Sequence, residues 1–179
     1  MTEERAKAAL SSFKLNEYEI DKMVKILVAS RGNYQTLIDF LKNAAGEGKE
    51  DLAIELLRVL SAKDWRDVSI EVLKDHYQNA PDPQKVGLGT SVEIVNPRVA
   101  NEMLTPYKEF FQKAVSANEV EHYRKNPQAL VAWCKKNIAI NNELNSQRIP
   151  MSPAGVWKAS VADEKSRDIF FVALARALG

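Results

Sequence analysis

The chain has 179 residues, with 25 basic and 24 acidic side chains, a net charge of +1 and 45% apolar content. These values fit an ordinary globular chain with enough length for one good core or two small ones. They exclude the broad basic surface of a protein that grips DNA, RNA or an anionic membrane through charge. The single cysteine, Cys134, excludes an internal disulfide and a cysteine-built metal site.

The first residues, MTEERAKAAL, hold no basic stretch followed by an apolar one, so they are not expected to act as a secretory signal. Residues 2–12 read as an exposed amphipathic helix or a frayed end. From Leu15 to Leu27 the apolar residues Tyr18, Ile20, Met23, Val24, Ile26 and Leu27 recur at helical spacing. Asn16 followed by Glu19 has the pattern of a capping box. Ser30-Arg31-Gly32-Asn33 is a turn, with Asn33 placed to cap a helix carrying Leu37, Ile38, Phe40 and Leu41. Gly46-Glu47-Gly48 ends that helix. Residues 49–60 predict another, with Leu52, Ile54, Leu56, Leu57 and Leu60. Asp64 opens a further one, with Asp67 at its third position and Trp65, Val68, Val72 and Leu73 facing inward. Residues 1–79 are thus expected to form four or five short antiparallel helices. A tetratricopeptide-like array is the weaker alternative, because no self-similar period emerges.

Residues 79–91, NAPDPQKVGLGTS, are the expected boundary. Residues 92–95 read as a very short strand or as extended chain. Asn96-Pro97 predicts a helix start carrying Val99, Met103, Leu104, Tyr107, Phe110 and Phe111, kinked near Met103 by Pro106. Asn126-Pro127 repeats that signal, for a helix to about Ile140 with Leu130, Val131, Cys134 and Ile138 on one side. Residues 141–156 read as irregular. The last stretch, SVADEKSRDIFFVALARALG, predicts a helix capped by Asp163 with Glu164 in its first turn. From Ile169 it is apolar nearly all round, which marks a buried helix. Its apolar run is too short to span a membrane, and Gly179 suits its end.

The chemistry-bearing residues mostly have plain readings. Cys134 fits a small core residue. His76 (in Lys74-Asp75-His76) and His122 (in Glu121-His122-Tyr123) read as surface or interhelical side chains. Asp163, Glu164 and Asp168 read as a helix-start group, with a general acid/base pair as the alternative. Trp65, Trp133 and Trp157 are too scattered to suggest a sugar-stacking platform. Ser152-Pro153-Ala154-Gly155 lacks the glycine spacing and lysine of a phosphate-binding loop. No metal ligands and no cofactor are expected.

Four pieces in order carry a resemblance: Asn96-Pro97-Arg98-Val99-Ala100-Asn101-Glu102, Trp133 in a helix, Ser152-Pro153 with Ala162 nine residues on, and the closing segment 170–179. Over residues 92–179 the chain resembles the bacterial transglutaminase-like superfamily, in particular its cell-envelope members. The resemblance implies a mainly α chain: an N-terminal helical bundle (1–79), a linker (80–91), then the helical lead-in and central helix of a transglutaminase-like core (92–179), with little or no sheet. In that family a Cys in the first turn of the core helix is the nucleophile, its thiolate favoured by the helix N-terminus. A His and an Asp or Asn on following strands complete the triad. Here the nucleophile position falls on Glu164, or on Ser166 in a register shifted by two. The sequence stops before any strand that would carry the His and Asp, so the chain is expected to be an N-terminal piece of a longer protein. The implied function is a non-catalytic or degenerate member that binds or positions at the cell envelope. Its partner would be an unknown protein or an envelope component, with no nucleic acid and no transmembrane segment. The resemblance implies an extracytoplasmic location, periplasmic or as a surface lipoprotein. One alternative is an acyltransferase or amide hydrolase whose catalytic part lies beyond residue 179; it would use Ser166 or an acidic residue of the same turn. Another is a helical-repeat adaptor. Oligomeric state stays open, with a second copy as one way to cover the apolar sides of the last helix.

Overall fold

The computed structural model describes residues 1–82 and 91–179. The chain is mainly helical: α1 (Glu3–Leu10), α2 (Glu17–Ala29), α3 (Tyr34–Gly46), α4 (Glu50–Val59), α5 (Asp64–Asp67), α6 (Ile70–Gln78), α7 (Ser91–Val95), α8 (Lys108–Ala114), α9 (Ala117–Lys125), α10 (Pro127–Asn137), α11 (Pro153–Ala159) and α12 (Glu164–Leu178). Strands β1 (Ala139–Ile140) and β2 (Val161–Ala162) pair in parallel, Ala139 opposite Val161. Most of the expected boundary, residues 83–90, lies outside the described residues.

Helices α1 to α6 follow their apolar spacing. The Asn16–Glu19 capping box is present: Asn16 Oδ1 accepts from Glu19 N–H at 3.0 Å and Glu19 Oε2 from Asn16 N–H at 2.9 Å. This satisfies two of the donors a helix start leaves open. Met23, Leu27, Leu37, Leu41, Leu56, Leu57 and Leu73 are all buried in one cluster, each contributing about 1.5–3 kcal/mol by leaving water. Gly48 ends α3 in the left-handed region, φ 68°, which glycine adopts without a Cβ penalty.

Two local expectations change. Asn33 makes no cap for α3. Its Nδ2 instead donates to the Trp65 and Val68 carbonyls, at 3.1 and 3.0 Å, and ties α5 to the α2–α3 turn. The helix expected from Asp64 through Leu73 breaks at Val68 and restarts at α6 with Ser69 as cap. The Asp64 carboxylate is fully buried and accepts from Ser61 N–H and Oγ.

The largest departure is at Asn96-Pro97. No helix starts there. Residues 96–107 are irregular, and α8 begins only at Lys108. Three groups hold the irregular path. Glu102 is buried, and its carboxylate accepts from Val99 N–H at 2.6 Å and Ala100 N–H at 2.8 Å. Arg98 donates from Nε and Nη2 to Asp64, at 2.9 and 2.5 Å, and from Nη1 to the Glu102 carbonyl. Burial pushes the Asp64 carboxyl up, but bonds from Arg98 and Ser61 outweigh it and the net shift is downward. Asp75 at the far side accepts from Tyr107, Lys108 and Glu109 N–H and so caps α8. Pro106 therefore precedes the helix instead of kinking it. Residues 92–95, expected as strand or extended chain, lie in helix α7.

Asn126-Pro127 does start a helix, with Pro127 in its first turn. It ends at Asn137, short of Ile140, and β1 begins at Ala139. Part of the expected irregular stretch is α11, capped by Ser152 with Pro153 next to it. The second core gathers Tyr107, Phe111, Leu130, Cys134, Ile138, Val156, Phe170, Ala173 and Leu174. Helix α12 crosses it, and from Ile169 to the end none of its residues is exposed. Gly179 closes it at φ 87°, its N–H donating to the Ala175 carbonyl. Arg176 ties this helix to the chain ahead of α8, through the Arg98 carbonyl at 2.7 Å, the Asn96 carbonyl at 3.3 Å and Glu93 at 2.7 Å.

Candidate functional site

The first turn of α12 is the position that the sequence singles out. Three of its backbone donors are taken: Glu164 N–H by Asn142 Oδ1 at 2.9 Å, Ser166 N–H by Asp163 Oδ1 at 3.1 Å, and Arg167 N–H by the Asp163 carbonyl at 3.0 Å. Asp163 is the expected N-cap. Its second oxygen accepts from Asn145 Nδ2 at 2.9 Å and from Ser166 Oγ at 2.5 Å. Burial raises the Asp163 carboxyl, the bonds from Ser166 and Asn145 lower it more, and it stays below the usual carboxylate range. The parallel β1–β2 pair lies just ahead and sets where this turn begins.

The two nucleophile-equivalent positions are now distinct. Glu164 is exposed, at the edge of an open recess of about 430 Å³ with Asn142, Asn145, Arg148, Asp163 and Lys165. Ser166 has no exposed surface. Its Oγ donates to Asp163 and accepts from Met151 N–H at 2.9 Å. A hydroxyl held from both sides and closed to solvent is a clamp between the 145–151 segment and α12. It has no imidazole base, as a serine nucleophile requires. Asp168, the third acidic residue of this group, is exposed. Among the described residues no hydrogen bond joins any two of Asp163, Glu164 and Asp168, so the arrangement is one cap and two solvated carboxylates.

Cys134 lies on α10, with 5% of its surface exposed, against a recess of about 130 Å³ that Arg167, Asp168 and Phe171 of α12 also line. Burial pushes its thiol up, and Arg167 only partly offsets this. The thiol is therefore protonated at neutral pH and a weak nucleophile. His122 is exposed beside Tyr123. Of the two readings for His76, surface or interhelical, the second holds: it is completely buried, where α6 meets the start of α8. Among the described residues no group of three or more His, Cys, Asp and Glu side chains is placed to hold a metal ion, and no helix is long and apolar enough to cross a membrane.

The tryptophans need one correction. Trp133 and Trp157 are not scattered but stacked, their ring centroids 5.0 Å apart and 22° from parallel. Phe110, Phe111 and Phe170 surround Trp157 at 5.9–6.4 Å. Trp65 stands apart in the first core, its indole N–H donating to the Leu57 carbonyl at 2.8 Å. The stack joins α10 to α11, and linear spacing carries no sign of it.

Sequence reasoning also missed a buried polar seam. Lys108 is completely buried, its Nζ donating to the Ile94 carbonyl, and burial lowers it to about 7. Tyr107 lies beside it, raised by burial. The signal available was the Asp75-His76 pair on the inward side of α6, which reads equally well as a solvated face. No protein-family model, curated protein or solved structure matches the chain.

Proposed function

We propose that the chain is a transglutaminase-like protein, or the leading part of one, that binds or positions at the bacterial cell envelope without thiol chemistry. The observation that carries this reading is the state of the α12 first turn. Where the family's nucleophile would stand, one candidate is an exposed carboxylate and the other a buried, doubly bonded hydroxyl. The one thiol is on another helix and protonated.

Two further features support the family side of the reading. Helix α12 occupies the middle of its core, as the resemblance requires of a core helix. Arg176 of the closing segment bonds the Asn96 and Arg98 carbonyls, so two of the four resembling pieces are in contact.

The test is an assay of amide hydrolysis and of amine incorporation into a glutamine-bearing protein. Wild type is expected to show no turnover above buffer. Turnover abolished by Ser166→Ala or Glu164→Ala would overturn the non-catalytic reading. Sedimentation with isolated bacterial envelopes tests the other half; a chain that stays wholly in the supernatant would refute the envelope role.

A further inference from the structure

His76 is the side chain for which the α12 reading has no use. It has no solvent exposure. Its Nε2 faces the Thr105 carbonyl at 3.4 Å, an acceptor, so the neutral ring carries its proton on that nitrogen. The other nitrogen, Nδ1, has no partner, and neither does the buried Thr105 Oγ1. The Tyr107 ring meets the imidazole edge-on, with centroids 4.5 Å apart.

The surrounding charges decide what a proton on Nδ1 would meet. On α6 itself, Asp75 Oδ2 is 3.9 Å from Nε2, but that carboxylate already accepts three backbone N–H groups at the start of α8. From α8 comes buried Lys108, held by the Ile94 carbonyl of α7. From α12 comes Arg176, whose guanidinium is turned to Glu93 and to the Asn96 and Arg98 carbonyls. Glu102 binds the Val99 and Ala100 N–H groups. On the α3–α4 side, Glu47 accepts from Tyr77 Oη and Lys49 lies over the Tyr77 ring. No free anion faces Nδ1 among these groups. An imidazolium there would be a buried cation beside two others, and water would be its remaining source of solvation.

We propose that the seam between α6 and the start of α8 is an acid-sensitive latch: protonation of His76 opens it and releases the first turn of α8 from Asp75. Burial dominates the downward shift of His76, with Lys108 adding to it. The folded pKa therefore lies below the unfolded one. The closed seam is at full strength above the unfolded value near 6.5 and weakens as pH falls toward the folded value. Lys108 acts in the same sense at higher pH, because its neutral form also suits the closed seam.

Hydrogen exchange of the whole chain at pH 8 and pH 5, corrected for intrinsic rates, tests the latch. The amides of Tyr107, Lys108 and Glu109 should lose about tenfold or more in protection at pH 5, the equivalent of one pKa unit, while the core amides of α2 and α3 keep theirs. His76→Phe, which fills the seam without titrating, should hold protection at pH 5 within about twofold of its pH 8 value. Equal protection at both pH values in wild type would overturn the proposal. So would a loss spread evenly over all helices, or the same loss in His76→Phe. Should that variant not fold, the proton spectrum of wild type decides, since there are only two histidines. The His76 ring should titrate below the ordinary imidazole value of 6.5 and in step with the loss at Tyr107–Glu109. Titration of His76 at the ordinary value, or with no change in those amides, would overturn the latch.

Discussion

Arg98 and Asp64 are joined by two hydrogen bonds, at 2.9 and 2.5 Å, although 34 positions separate them in sequence. Asp64 is fully buried and Arg98 about one-fifth exposed. Removing one partner leaves the other's charge stranded. Arg98→Met should therefore cost about 3–5 kcal/mol, read as a lower urea midpoint. The double variant Arg98→Met with Asp64→Leu should recover most of that loss. A double variant no more stable than Arg98→Met would show that the pair is not coupled.

Ser166→Ala should cost about 1–3 kcal/mol, because it leaves Met151 N–H without its acceptor and removes a donor from Asp163. The same substitution should leave any measured envelope binding unchanged. Thermal unfolding and sedimentation, run on one preparation, separate the two effects. A Ser166→Ala chain as stable as wild type would mean that the hydroxyl is not a clamp.

Native Cys134 should react slowly with an aromatic disulfide reagent at pH 7.5, and quickly once urea unfolds the chain. The cause is its small exposed fraction together with its raised pKa. Labelling of the folded protein as fast as that of a free thiol would refute the buried, protonated state.

Lys108 sets a pH slope of its own. Its pKa of about 7 in the folded chain is below the ordinary 10.5. Between these values the unfolded chain binds more protons, so stability rises with pH from about 7 toward 10. Lys108→Met should flatten that rise, measured as the urea midpoint at pH 7 and pH 9.5. An identical slope in the variant would show that Lys108 is not its source. The carboxylates work lower on the scale: Asp64 and Asp163, both shifted down, add stability that is full above about pH 4 and fades as pH falls through their folded values.

The mainly α fold, the N-cap at Asp163, the capping box at Asn16 and the burial of α12 are legible in the sequence, because each depends on residues within about one turn of each other. The irregular path of 96–107 is not. Asn96-Pro97 has the local form of a helix start, and what overrides it is remote: Asp64, Asp75 and Arg176 supply the bonds that an unwound segment needs. The Trp133–Trp157 stack and the His76 seam are illegible for the same reason, since both join elements far apart in sequence. At the candidate site, the residue identities at 163, 164 and 166 could be named in advance. That Ser166 is inward and Glu164 outward follows from the helix phase set by the β1–β2 pairing, which two-residue strands do not announce.

Arg176 reaches back 80 positions to Asn96 and 83 to Glu93, and Gln112 reaches 65 forward to Ala177. The side-chain bonds that bridge different elements within residues 1–78 span at most 37 positions, as with Arg66 to Ala29 at 37 and Asn33 to Val68 at 35. Closing a longer loop costs more entropy before any contact rewards it. The two cores should thus form in order: the first 78 residues collapse early, and the docking of α12 against α7 and the 96–98 segment limits the overall rate of folding.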